Sequence, residues 1–119
     1  VRGSAVCEGY CMAYRYLLNK AGIVSEEIES DPMNHCWNYV LLNGRWYHVD
    51  VTWDDDGGRN PASHAYFLLS DEAIRDRNGQ RHYGWTTRGL PSASDTWYDN
   101  YDWNRVADVD EKKKKEINI

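Results

Sequence analysis

The first apolar pattern along the chain has the period of an α-helix. Apolar and aromatic side chains recur at intervals of three and four residues, at Tyr10, Ala13, Tyr14, Leu17, Leu18 and Ala21. Ser4 precedes this run as the expected N-cap, and Gly22 follows it where a helix commonly ends. The pattern predicts an amphipathic helix over residues 5–21, with Cys7 in its first turn.

Two runs rich in β-forming residues follow, after a polar link that contains Pro32. The runs cover residues 35–42 and 45–53, and Asn43-Gly44 lies between them. Asn-Gly between two such runs is typical of a two-residue type I′ turn. The sequence therefore predicts an antiparallel hairpin whose register is fixed by that turn.

The register of this hairpin brings His35 and Asp50 together. It places His35 opposite Thr52 and makes Asp50 the diagonal neighbour of His35. Because side chains alternate between faces, one face of the hairpin holds His35, Trp37, Tyr39, Leu41, Trp46, His48, Asp50 and Thr52. The amphipathic helix is the expected cover of this face, so Cys7 would converge on His35 and Asp50.

The remainder of the chain predicts fewer elements. The expected features are a third strand at 65–69, a short helix capped by Ser70 and Asp71 that runs through Arg77, an irregular segment at 78–91, and aromatic side chains packed back on the domain at 95–103. We assign residues 1–103 to one α+β domain and 104–119 to a charged tail. The chain begins at Val1 with no initiator Met, which we interpret as a fragment of a larger multidomain protein.

Composition excludes several functional classes. A net charge of −5 gives no cationic field for nucleic acid, and no apolar run approaches the ~20 residues of a membrane span. Six Trp and nine Tyr suit a core of large rings or a groove that meets peptides or sugars. No Cys-x-x-Cys or His-x-x-x-His pair occurs, so we expect no metal and no cofactor. The acidic residues from Asp54 onward are interpreted as a turn and not as a calcium site.

The convergence of Cys7, His35 and Asp50 suggests nucleophilic chemistry. A thiol in this order with an imidazole and a carboxylate can act as nucleophile, base and orienting group. Cys36 follows His35 and should point to the opposite face, into the core. Cys11 lies one helical turn after Cys7, and we expect the thiols to be reduced. His48 shares the face of the site, where the alternatives are that it tunes the site or that it pairs with Tyr39 across the hairpin, and we favour the pairing. The sequence indicates no partner for His64 or His82.

Three motifs carry a resemblance to a known family. They are Ala5-Val6-Cys7-Glu8-Gly9-Tyr10, His35-Cys36-Trp37-Asn38-Tyr39-Val40 and Trp46-Tyr47-His48-Val49-Asp50-Val51-Thr52-Trp53-Asp54. In this order they resemble the transglutaminase-like superfamily, and the likeness extends to bacterial members from about Ala5 to about Trp103. The resemblance implies a papain-like core with Cys7 as nucleophile, His35 as general base and Asp50 as the residue that orients it.

The function implied by the resemblance is that of a thiol enzyme acting on amide bonds of peptides or proteins through a thioester. We place hydrolysis, as in a cysteine protease or amidase, ahead of protein cross-linking as in a transglutaminase. The alternative from another class is a non-catalytic module that binds peptide or cell-wall glycan. Bacterial relatives that the chain resembles are often secreted or attached to the cell surface.

Three further groups are assigned to the site. The backbone N–H of Cys7 is the one oxyanion donor that the sequence offers. Trp37 and Tyr10 are expected to line the site, where Trp37 would shield the bond between His35 and Asp50 from water.

Overall fold

A computed structural model describes residues 2–54 and 65–103, with side chains from residue 7 onward. The elements in chain order are α1 (Arg2–Lys20), β1 (Ser25–Ser30), β2 (His35–Leu42), β3 (Arg45–Val49), α2 (Val51–Asp54), β4 (Phe67–Leu69) and α3 (Asp71–Arg75). Within the described residues, the four strands form one antiparallel sheet in the order β1-β2-β3-β4. The predicted α+β class, with a cysteine-bearing helix on an antiparallel sheet of at least three strands, is confirmed.

Helix α1 begins earlier than its pattern predicts. It starts at Arg2, so Ser4 lies inside the helix and the prediction that it is the N-cap is wrong. The end is as predicted, because Gly22 has φ +83° and the N–H of Ile23 donates to the carbonyl of Leu18 at 2.9 Å. In the part of the chain that the structure describes, neither α1 nor any other helix is long and apolar enough to cross a membrane.

The register of the central hairpin is the predicted one. Strands β2 and β3 pair from Leu42 opposite Arg45 to Asn38 opposite Val49. The prediction that the second strand continues to residue 53 is wrong, since β3 ends at Val49 and the chain turns into α2. His35 consequently pairs with Ser30 of β1 and not with Thr52.

Strand β1 lies in the segment that the sequence assigns to a polar link. Its sequence is Ser-Glu-Glu-Ile-Glu-Ser, in which only Ile28 is apolar. The alternation of apolar and polar residues that is typical of a strand therefore cannot be detected. The strand forms an outer edge of the sheet, pairing only with β2 in the described part of the chain. Its buried side chains are Ser25, Ile28 and Ser30.

The helix covers the opposite face of the sheet from the one predicted. Tyr14 and Leu18 of α1 pack against a cluster built on Val40, Tyr47 and Val49. His35, Trp37 and Tyr39 have the other parity on the strand and therefore point away from the helix. The predicted division into two faces holds for residues 35–42 and 45–49, whereas Thr52 lies in α2 and the helix covers the other face.

The face that bears Trp37 and Tyr39 is covered by the irregular segment after α3. Trp85, Leu90 and Ala93 pack on it, and the Tyr39 hydroxyl donates to the carbonyl of Pro91 at 2.6 Å. This segment is irregular as predicted. It is nevertheless firmly attached, because its carbonyl groups and rings meet the buried face of the sheet.

The short helix α3 has its predicted cap. The Ser70 hydroxyl accepts from the N–H of Ala73 at 3.1 Å and donates to Asp99 at 2.8 Å. The helix ends at Arg75, two residues before the predicted end. Tyr98 and Trp103 pack on the helix-covered side of the sheet as predicted. Trp97 does not, since it is 70% exposed. The predicted tail at 104–119 lies outside the described residues.

Gly84 provides a test of how the irregular segment is attached to the sheet. It has φ +67°, and a Cβ there would lie 2.3 Å from Cγ of Pro32. We predict that Gly84→Ala lowers the free energy of unfolding by about 2–5 kcal/mol, because overpacking adds to backbone strain. Gly79→Ala is the matched control, since Gly79 has φ +82° with nothing near its Cβ position, and should cost about 1–2 kcal/mol. Equal losses in urea denaturation would contradict this packing.

Candidate active site

Asp50 lies between the end of strand β3 and the start of helix α2. Its Oδ1 accepts from the N–H of Trp53 at 3.1 Å, and its backbone N–H donates to the carbonyl of Tyr66 at 2.9 Å. A carboxylate that accepts from the amide three residues ahead is the usual N-cap of a helix. This capping is the physical reason why strand β3 stops at Val49. The sequence did not reveal it, because the residues that follow Asp50, Val51 and Thr52, are β-branched and favour a strand.

The other oxygen of Asp50 holds His35. Nε2 of His35 lies 2.6 Å from Oδ2 of Asp50, and both side chains are largely withdrawn from solvent. The structure thus brings this predicted pair together, although Asp50 reaches His35 from the end of the strand. Because Nε2 is engaged by Asp50, Nδ1 is the nitrogen of His35 with which a thiol would exchange a proton.

His82 is the site residue that the sequence interpretation missed. Its Nε2 also lies 2.6 Å from Oδ2 of Asp50, so two imidazoles share one carboxylate oxygen. His82 is 32 residues from Asp50 in a segment without periodicity, and no spacing signal links the two. His64, the other histidine without a named partner, lies outside the described residues.

These donors keep the carboxyl group of Asp50 ionised. Burial acts to raise the pKa of Asp50, but the hydrogen bonds and positive field of His35 and His82 outweigh it, so the pKa lies below its usual value. A buried carboxylate with three N–H donors is a stable ionised acceptor. Asp50 can therefore hold His35 in one orientation and stabilise an imidazolium.

Cys7 and His35 line the same pocket, at the first residue of β2. A cavity of about 130 Å³ is lined by Cys7, Glu8, Glu29, Ser30, Asp31, Asn34, His35 and Cys36. Cys7 reaches this pocket from the helix side of the sheet and His35 from the other side. The pocket therefore brings together the predicted nucleophile and base, even though they belong to opposite faces.

The three cysteines are thiols, not disulfides, and they form one buried cluster. Sγ of Cys36 lies 3.6 Å from Sγ of Cys7. Burial raises the pKa of Cys36 to about 12 and raises that of Cys11 even more strongly. Cys36 is buried as predicted, and neither it nor Cys11 is poised to form a thiolate near neutral pH.

The other three groups that the sequence assigns to the site are the backbone N–H of Cys7, Tyr10 and Trp37. Cys7 is the sixth residue of α1, so its N–H donates to the carbonyl of Gly3 in the regular helical pattern and is not available to an oxyanion. Among the described residues that line the pocket, neither Tyr10 nor Trp37 occurs. Trp37 instead lies fully buried behind His35, with ring centroids 5.6 Å apart, where it excludes water from one side of the imidazole.

His48 belongs to a separate buried network. Its Nδ1 accepts from the indole N–H of Trp37 at 2.9 Å, and its Nε2 donates to Asp71 at 2.7 Å. Burial lowers the pKa of His48 despite the neighbouring Asp71, so the ring is neutral. It also faces Tyr39, with ring centroids 4.7 Å apart, as the register predicts. This network fixes Trp37 and, through it, one wall around His35.

His35, Asp50 and His82 also form a candidate metal cluster, because one ligand atom of each lies within 4.8 Å of the others. Ligands around a tetrahedral zinc ion are about 3.3 Å apart, given metal–ligand bonds of about 2.0–2.1 Å. Each Nε2 of this cluster lies only 2.6 Å from Oδ2. The spacing is that of hydrogen bonds, and it does not fit a shared ion.

Comparisons with known proteins give no independent assignment. No protein-family model matches the chain, and no curated protein matches it either.

Asp54 provides a pH test of this region. Burial raises the pKa of Asp54 to about 7, with the charge of Asp50 acting in the same direction. The folded state therefore binds a proton that the unfolded chain has released, and stability falls as pH rises from about 4 to 7. Asp54→Asn keeps the acceptor for the N–H of Tyr66 and should remove this contribution, about 1–3 kcal/mol for a partly exposed group.

The measurement is the free energy of unfolding in urea against pH for both proteins. We expect the difference between them to grow across this pH range. A constant difference would contradict the raised pKa.

Proposed function

We propose that this chain is a thiol enzyme of the transglutaminase-like, papain-like type that cleaves amide bonds of peptides or proteins. The observation that carries the proposal is the 2.6 Å bond from His35 to the buried Asp50, at a pocket that Cys7 also lines. Nucleophile, base and orienting carboxylate are the three groups that this chemistry requires. No cofactor is needed.

In the proposed acylation step, Nδ1 of His35 takes the proton of the Cys7 thiol. The thiolate attacks the carbonyl carbon of the scissile amide, and the C–N bond of the tetrahedral intermediate then breaks. His35 returns the proton to the departing amine, which leaves a thioester on Cys7. Asp50 accepts from Nε2 throughout, and its negative charge stabilises the imidazolium while it exists.

Hydrolysis is the proposed fate of the thioester. His35 removes a proton from water, the resulting hydroxide attacks the thioester carbonyl, and the C–S bond breaks. His35 then returns the proton to the departing sulfur, which releases a carboxylic acid and the thiol of Cys7. The lining of the pocket supports this choice, because all of its described residues other than the two cysteines are polar. A polar lining does not exclude water from the thioester, as an acyltransferase must do.

A second candidate, transfer to an amine, is favoured by the charge of the same lining. Glu8, Glu29 and Asp31 line the pocket, and no Lys or Arg is among its described lining residues. A negative field of this kind raises the local concentration of a cationic amine. An amine that attacks the thioester would form a new amide, as in protein cross-linking.

Alkylation of the thiols by iodoacetamide against pH tests the proposed enzyme. We expect Cys7 to react well below pH 8.5, about the value of an ordinary thiol, because His35 stabilises the thiolate. His35→Ala should slow alkylation of Cys7 at neutral pH about 10²-fold. Peptide mass spectrometry assigns each adduct, with Cys11 and Cys36 in the same chain as internal controls.

Two results of that titration would contradict the enzyme. One is a Cys7 that reacts no faster than Cys11 and Cys36. The other is a reactive Cys7 whose rate does not depend on His35. Either result would favour the non-catalytic binding module instead.

The partition of the acyl-enzyme distinguishes water from amine as the acceptor. A glutamine peptide ester is incubated with ethylenediamine, which is cationic, or with hydroxylamine, which is neutral at mildly alkaline pH, and the products are resolved by mass. A hydrolase should release mainly acid with both amines. Preferential capture by ethylenediamine that weakens in Glu29→Gln and Asp31→Asn would overturn the assignment to hydrolysis and establish transfer.

A further inference from the structure

His82 is fixed in place by its backbone and by the rings around it. Its N–H donates to the carbonyl of Ile74 at 3.2 Å, and its carbonyl accepts from the indole N–H of Trp85 at 2.9 Å. The side chain is 0% exposed and packs on Trp53 and Trp37, with ring centroids at 3.9 and 4.8 Å. His82 is therefore a rigid part of the site, although a loop carries it.

The two ring nitrogens of His82 have different surroundings. Nε2 bonds Oδ2 of Asp50 at 2.6 Å, whereas Nδ1 is buried and has no hydrogen-bond partner among the residues that the structure describes. A proton on Nδ1 would have no acceptor, and an unpaired buried donor costs about 1–3 kcal/mol. A carboxylate oxygen accepts, so Nε2 is the ring nitrogen whose proton meets Asp50. His82 is therefore a hydrogen-bond donor to Asp50 through Nε2.

His35 and His82 meet the same oxygen of Asp50 but differ in access to the pocket. His35 lines it beside Cys7, whereas His82 does not line it. His35 changes protonation during the proposed reaction. His82 does not meet the pocket of the reacting thiol, so its Nε2 remains a donor to Oδ2 while His35 exchanges a proton.

We propose that His82 is a positioning residue for the Cys7 site. As a hydrogen-bond donor it keeps Asp50 ionised and in one orientation, so that Nε2 of His35 always meets an acceptor. The consequence for Cys7 rests on the proposed function, whereas the effect on Asp50 rests on geometry alone.

Other titratable groups also face Asp50 and must be separated from this effect. Asp54 of α2, Tyr66 before β4 and Cys11 of α1 each interact electrostatically with its charge. Asp54 is the one that titrates near neutral pH. Each His82 variant is therefore also made in an Asp54→Asn background.

The test compares His82→Phe, which keeps a planar ring without a donor, with His82→Gln, whose side-chain amide can donate from a position near that of Nε2. The carboxyl carbon of Asp50 is titrated by NMR, and Cys7 alkylation is profiled against pH. We expect His82→Phe to move the Asp50 titration and the acid limb of the alkylation profile to higher pH by about one unit, with a tenfold loss of rate on that limb. His82→Gln should restore most of both.

Each alternative gives a different result. If His82 only fills space, His82→Phe leaves the Asp50 titration and the acid limb unchanged. If His82 is itself a base, His82→Gln is as slow as His82→Phe while Asp50 titrates normally. If Cys7 of the native chain shows no enhanced alkylation, the proposed enzyme fails, and the Asp50 titration still decides the role of His82.

A measurement on the native chain tests the same proposal if a His82 variant does not fold. Nitrogen NMR of the His82 ring at neutral pH should show a proton on Nε2. An Nε2 without a proton under these conditions would overturn the proposal.

Discussion

A buried carboxylate needs hydrogen-bond donors around it, and Asp50 receives them from three separate segments of the chain. It accepts from His35 at the start of β2, from the backbone of α2, and from His82 in the loop after α3. An unpaired charge at this depth would cost several kcal/mol, so these segments stabilise one another through one side chain. The same atoms end the hairpin, begin a helix and orient an imidazole.

This arrangement determines which thiol can react. Cys36 lies 3.6 Å from Cys7, but burial raises the pKa of Cys36 to about 12. Cys7 and Cys36 both line the pocket with His35, whose Nε2 is held by Asp50. In the proposed enzyme the raised pKa of Cys36 leaves Cys7 as the nucleophile, and proximity of the thiols to one another does not confer reactivity.

Local sequence signals predicted much of the framework. Asn43-Gly44 fixed the register of the hairpin and, through it, the nearness of His35 and Asp50. Strand β1 was not predicted because Ile28 is its only apolar residue, and one position cannot show a period of two. The face covered by the helix and the presence of His82 depend on tertiary packing between distant segments, for which the sequence carries no local pattern.

The most direct test of the account is the rate at which p-nitrophenyl acetate acylates Cys7, with the site assigned by peptide mass spectrometry. Asp50→Ala removes the acceptor of His35, and Asp95→Ala removes an acid that pairs with Arg45 outside the site. The account predicts an acyl group on Cys7, a rate at least roughly 10²-fold lower in Asp50→Ala, and little change in Asp95→Ala. Acylation of Cys36 instead, or an equal rate in a folded Asp50→Ala protein, would contradict it.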